Sequence, residues 1–328
     1  MQYTRIAKLA NRIQKRRARR GQKGFTLLEL LVVVAILAAI AGTATIALQD
    51  TDMRASAAAH VAMMDELNKG IATYRVLQKN ELPTAFDSLI QMDTSATPSL
   101  TDAEFLETID EGLYASLAVA ALDSGTASVL SEGGLDALMY VAEDISHSDG
   151  DYNCTNITEV IESRSNNVVP GNIFLSGSAN GCGYKVDLAN GIPVAVWNDN
   201  YERILGSAGK AFDDADYSGA PVMMAVGVGP SSTLFEQGKL GTMTSVPVYR
   251  HVSGAAYNRF VALFTIGEFA SGTHTLPTGT SDVESPADFS TAGTWSATDQ
   301  VNLVTVIDGA GDTKEEELGE WDGQRNTI

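Results

Sequence analysis

Across residues 25–48 the chain carries one ionisable side chain, Glu29, in a run that is otherwise apolar or small. As a helix this run spans about 36 Å at about 1.5 Å per residue, enough to cross a bilayer. Beyond Asp50 the apolar positions thin into a stripe. Ala57, Val61, Met64, Leu67, Ile71, Tyr74 and Leu77 recur at three- and four-residue steps, with Asp65, Glu66, Lys69, Arg75 and Lys79 mostly between them. The pattern predicts one long helix, apolar all round in its first half and two-faced in its second, with the stripe against a sheet of the same subunit. Pro83 ends it, because the residue before a proline avoids the α region.

The remainder reads as mixed and then strand-rich. Residues 101–106, 113–122 and 135–145 fit helices. Residues 171–175, 183–196, 221–228, 244–252, 259–269 and 301–307 are rich in β-branched and aromatic residues between Gly, Asn, Asp and Pro clusters, and are expected to be strands. Asn190-Gly191 marks a hairpin turn within the second of them. Residues 271–294 are dense in Gly, Ser, Thr and Pro and read as a long surface loop.

Charge sharpens the picture. Nine basic residues and no acid precede Phe25, leaving 13 basic residues against all 41 acids in the rest of the 328-residue chain. A basic tip on an acidic body also suits a nucleic-acid arm. The apolar run that follows decides otherwise, since positive charge flanking such a run marks the cytoplasmic end of a membrane segment. The acidic body repels nucleic acid and anionic lipid. A secretory signal peptide has a shorter apolar stretch, and a plain anchor leaves the costly Glu29 unexplained. Cys154 and Cys182 both follow the apolar segment. If that part is exported, a disulfide between them is the natural reading, with two separate thiols as the alternative. Closing their loop is worth about 3 kcal/mol.

Lys23-Gly24-Phe25-Thr26-Leu27-Leu28-Glu29-Leu30, behind a basic leader and ahead of an apolar helix, resembles the processing site of type IV prepilins and type II secretion pseudopilins. The resemblance covers residues 23–89. It implies cleavage after Gly24 by a prepilin peptidase, N-methylation of the new terminus at Phe25, and an assembly role for Glu29, fifth residue of the mature chain. A charged amine at Phe25 of one copy would pair with Glu29 of the next and set the register of stacked helices. The implied organisation is a cleaved leader at 1–24, a transmembrane and filament-core helix at 25–50, its amphipathic continuation at 51–80, and an exported α+β head at 81–328. The implied fold is pilin-like: a long N-terminal helix on an antiparallel sheet, with an enlarged globular head.

The same resemblance implies a structural subunit and not an enzyme. It would polymerise with itself or with other pilins, with a membrane platform protein and an assembly ATPase as separate machinery. The precursor would sit in the inner membrane with its leader cytoplasmic, and the product in a surface pilus or a periplasmic pseudopilus. A pseudopilin and a minor pilin with an adhesin-like head are the alternatives; the 271–294 loop is where an adhesive surface is expected. The leader length resembles type IVb members, while the Phe start resembles type IVa. Many pilins carry a proline late in the apolar stretch. This chain has instead Gly42, Thr43 and Thr45, which allow either local loosening or an unbroken helix.

No enzymatic set stands out. His60, His147, His251 and His274 lack ligand spacing, and neither HExxH, GxSxG nor a phosphate-binding glycine loop occurs. Gly227-Val228-Gly229-Pro230 fits a turn. Related pseudopilins bind calcium late in the chain, and Asp213, Asp214 and Asp216, Asp149 and Asp151, and Asp308 and Asp312 are the acidic loops to consider. Solvated turns are the better reading of them, since no loop supplies the six to eight oxygens calcium takes. Residues 314–320 read as a solvated acidic face. Asn153-Cys154-Thr155 and Asn156-Ile157-Thr158 match glycosylation acceptors by coincidence.

Overall fold

The structure is a computed structural model that describes residues 26–92, 100, 103–106, 109–142, 183–212, 216–236, 245–249, 252, 257–272, 275–277, 287–289 and 294–322. Helix α1 (Leu27–Leu77) is 51 residues long and passes unbroken through Gly42. The hydroxyls of Thr43 and Thr45 are spent inside it, donating to the carbonyls of Ile40 at 3.0 Å and Ala41 at 2.9 Å. α1 stops ahead of Pro83. Lys79 and Asn80 adopt φ of 57° and 81°, and the Asn80 side-chain oxygen accepts from Arg75 Nε at 2.8 Å. This left-handed exit, which asparagine tolerates well, ends the helix before the proline can.

The chain forms two compact units, Met1–Met53 and Arg54–Ile328. In the first, every side chain from residue 26 to 45 is exposed. In the second, Ala57, Val61, Met64, Leu67, Ile71 and Tyr74 are buried as the stripe requires, whereas Leu77 at the last helical position is 57% exposed.

Ten strands among the described residues make one sheet. They are β1 (Phe86–Met92), β2 (Ala103–Phe105), β3 (Leu117–Ala121), β4 (Ala137–Ala142), β5 (Gly183–Asp187), β6 (Pro193–Trp197), β7 (Pro221–Gly227), β8 (Val261–Phe269), β9 (Ala287–Asp288) and β10 (Trp295–Ile307). One path runs β5-β4-β1-β7-β6-β3-β9, with β8 bridging β7 to β10 and β2 flanking β1. β7 is the junction. Its whole length pairs with β8, while it also meets β6 at Met224 and β1 at Gly227. Such a strand has little solvent on either face, so it reads as a continuous apolar run. The pairs β1–β4 and β3–β9 are parallel, so the sheet is mixed and not antiparallel throughout. The chain is α+β.

Several local expectations change. Residues 101–106 hold strand β2, and 135–145 hold strand β4 in place of a helix. Residues 113–122 split between the short helix α2 (Glu111–Ala115) and β3. All of these are short runs, for which periodicity does not separate strand from helix. Helix α3 (Ser124–Glu132) starts at Asp123, whose carboxylate accepts from Thr126 N at 2.7 Å. Asn190-Gly191 does form a turn, with Gly191 at φ 88°, but the strands it joins do not pair. β5 goes to β4 and β6 to β3 and β7. The described part of 244–252 holds no strand, and 171–175 lies outside the described residues. Among the described residues the second unit also holds helix α4 (Tyr201–Leu205) and helix α5 (Lys314–Asp322).

Candidate processing and assembly segment

Helix α1 opens with a capping box. Thr26 is the N-cap, its carbonyl accepting from Leu30 N at 3.1 Å. Its hydroxyl accepts from Glu29 N at 3.2 Å. In return, Glu29 Oε2 accepts from Thr26 N at 2.8 Å and from the Thr26 hydroxyl at 3.0 Å. The box satisfies backbone donors that a helix start otherwise leaves bare. The spacing Thr-x-x-Glu before an apolar run is its sequence signature, and the reading of Glu29 as a partner for another copy passed over it. Both Thr26 bonds fall on one carboxylate oxygen, so the other lies outside the box.

The span that follows, Leu27–Thr45, has the length and composition to cross a membrane, and none of it is buried. Leu27, Leu28, Leu30, Leu31, Val32, Val33, Val34, Ile36, Leu37 and Ile40 are all at least 46% exposed. Full burial of such a side chain is worth about 1.5–3 kcal/mol. Ten of them bare in water is therefore a state that lipid or other apolar surface must relieve. Gly24, Phe25, Cys154 and Cys182 lie outside the described residues.

Within the second unit, buried charge is concentrated in places the sequence reading did not mark. Asp87 in β1 is fully buried and accepts from the Tyr257 hydroxyl at 2.8 Å. Burial pushes its carboxyl up to about 7, against the opposing pull of the Tyr257 bond and the Arg259 charge. Gly227 and Gly229 make room for this pair. A side chain at Gly227 would run into the Tyr257 ring and hydroxyl, and one at Gly229 into the Asp87 carboxylate. The glycine pair that looked like a plain turn thus has a packing role.

The acidic C-terminal run is not a solvated face. Glu317 is 1% exposed, and Glu316 holds Arg203 with contacts of 2.9 and 3.1 Å. Arg203 also binds Asp199, the Ser116 hydroxyl and the Gly311 carbonyl, and sits 5.5 Å from the Trp197 ring centre. Of the calcium candidates, Asp308 Oδ1 accepts from Ala310 N at 2.9 Å and Asp312 N at 2.8 Å. Asp312 lies 3.9 Å from Arg203, and Asp216 accepts from Ser218 N at 2.9 Å. These loops are tied by donors of the chain itself. Among the described residues no three His, Cys, Asp or Glu side chains are placed to hold a metal ion. Asp149, Asp151, Asp213 and Asp214 lie outside the described residues, as do His147, His251 and His274.

Compared with known families, residues 19–45 match the prokaryotic N-terminal methylation motif. No curated protein and no solved structure matches the chain. The motif marks pilin-like structural subunits, implies processing by a prepilin peptidase and assembly into pilus-like filaments, and fits a membrane anchor before assembly. The capped apolar helix and the motif coincide, and through them the chain carries the signature of type IV pilin and pseudopilin precursors.

Proposed function

We propose that the chain is a filament subunit of the type IV pilin class, made as a membrane-inserted prepilin. In this reading it is cut between Gly24 and Phe25, methylated at Phe25, and polymerised through α1. The observation that carries it is the exposed apolar span Leu27–Thr45 headed by one carboxylate, inside the methylation motif. An apolar surface of that length needs lipid before assembly and like helices after it. Glu29 would receive the Phe25 amine of a neighbouring copy on the oxygen that its own capping box leaves outside. A charge pair in apolar surroundings penalises every stagger that fails to bring acid and amine together.

The leader would be 1–24 and the exported head 81–328, with Cys154 and Cys182 bridged once outside the cytoplasm. The head is large for a subunit that builds most of a filament, which favours a minor or specialised pilin in a pilus or pseudopilus. Platform protein and assembly ATPase would be separate partners. Mass spectrometry of surface material tests the reading: an N-terminal methylated Phe25 is expected, and an intact Met1 terminus in filaments contradicts it. Replacing Glu29 by Ala is expected to leave cleavage intact and to lower filament yield.

A further inference from the structure

The turn Asn190-Gly191 carries β5 into β6, and the two strands then part, β5 to β4 and β6 to β3 and β7. Asn190 and Gly191 are both exposed. Gly191 takes φ 88°, and nothing lies within 4 Å of the place a side chain would occupy. Leu122, the residue after β3, holds this turn by its backbone. Gly191 N donates to Leu122 O at 2.8 Å, and Leu122 N donates to Ile192 O at 2.9 Å. Ile192 N closes the turn on Ala189 O at 3.2 Å, and the Leu122 and Ile192 side chains are buried.

An asparagine followed by glycine is chemically unstable. Once the glycine nitrogen gives up its proton to a base, it attacks the asparagine Cγ. A C–N bond forms, the side-chain nitrogen leaves as ammonia, and a succinimide ring remains. Water then opens that ring at either carbonyl and leaves aspartate or isoaspartate, so the whole change consumes water and releases ammonia. Glycine is the favoured successor because no Cβ obstructs the approach. Among the described residues Asn190 is the one asparagine followed by glycine. Its nucleophile is engaged. The Gly191 N–H is given to Leu122 O, which retains the proton and fixes the nitrogen in place. The reaction therefore waits on breakage of that bond.

We propose that Asn190 is a self-modification site gated by this turn: it is inert while Leu122 holds Gly191, and it converts to aspartate or isoaspartate when that pairing opens. The isoaspartate form then keeps the turn from closing again. It routes the main chain through its side-chain carbons, which adds a backbone atom between two strands whose partners are fixed. Gly191 N can then no longer meet Leu122 O while Ile192 keeps its own bond. A transient opening becomes a permanent mark, written by water alone. The site lies within the Arg54–Ile328 unit and stands independently of the filament reading.

Tryptic mass spectrometry of the full chain in detergent tests it, after incubation at mildly alkaline pH with the protein either folded or unfolded in guanidinium chloride. Lys185 separates Asn190 from the second Asn-Gly pair, Asn180-Gly181, which lies outside the described residues. Asn190 should convert in the unfolded chain and at least about tenfold more slowly in the folded one, since the folded rate is scaled by the fraction of open turn. Ile192→Ala removes a buried side chain beside the turn. It should raise the folded rate at least about threefold and leave the unfolded rate unchanged. Equal folded and unfolded rates overturn the proposal, as does an absence of conversion in the unfolded chain. A folded rate unmoved by I192A overturns it too. If I192A does not fold, the wild-type comparison alone decides.

Discussion

Tyr257 donates its hydroxyl hydrogen to Asp87 Oδ2 at 2.8 Å, with both side chains sealed from solvent. The pair joins β1 to the segment entering β8, beside the point where β1 meets β7 at Gly227. Asp87 holds its proton to about 7, chiefly because burial disfavours the anion. The unfolded chain releases the same proton near the ordinary value of 3.8. Between these two points the folded state binds more protons than the unfolded one. Stability from this group is thus complete below about pH 4 and declines as pH climbs towards 7. Asp308 acts in the same direction. Each carboxyl contributes a slope of at most about 1.4 kcal/mol per pH unit. Urea denaturation followed by fluorescence of the buried Trp197 should give a lower midpoint at about pH 7.5 than at about pH 5. Asp87→Asn should remove roughly half of the difference.

Gly229 lies against the Asp87 carboxylate, with no room for a methyl group. Gly229→Ala must displace the carboxylate or its strand, an overpacking cost of about 1–3 kcal/mol. Gly42 has nothing within 4 Å of its missing side chain, so Gly42→Ala should leave the head unchanged and only strengthen α1. Thermal melts of the two variants provide the comparison.

Arg203 gathers Asp199, Glu316, Ser116 and the Gly311 carbonyl around one planar group. A lysine cannot span Glu316 in two contacts while reaching the others. Arg203→Lys should cost about 1–3 kcal/mol, because a forked set of charge-assisted bonds is lost and the carboxylates stay. The urea midpoint measures it, and a loss within about 0.5 kcal/mol would show that the network is loosely held.

Thr26→Val removes the hydroxyl from the capping box without changing side-chain shape. An N-cap of this kind is worth about 1 kcal/mol, so amide exchange at Leu28, Glu29 and Leu30 should speed up about fivefold. Thr26→Ser should restore the native rate. Nuclear magnetic resonance of the protein in micelles reads these amides directly.

The parts of this architecture visible in the sequence are those with a single dominant cause. The apolar run with its lone Glu29 fixed the character of the N-terminal helix, and the spacing of Met64, Leu67, Ile71 and Tyr74 identified its buried face. Strands β7 and β8 were visible because a strand buried on both sides needs unbroken apolar residues. The misread elements were short. Residues 103–105 and 137–142 hold too few positions for a helical period to differ from an alternating one. The helix α5 has no apolar stripe, since it docks through Lys314, Glu316 and Glu317, and its charges concealed it. The partnership of Asp87 with Tyr257 spans 170 positions, and only Gly227 and Gly229 hinted at a crowded neighbour.

The union of Glu317 with His60 spans 257 positions, and that of Lys314 with Asp65 spans 249. A ribosome must therefore release Glu317 before His60 can meet it, and contacts of such range form slowly. Removing residues 314–322, which deletes α5, should cripple closure of the head even though the N-terminal helix is untouched.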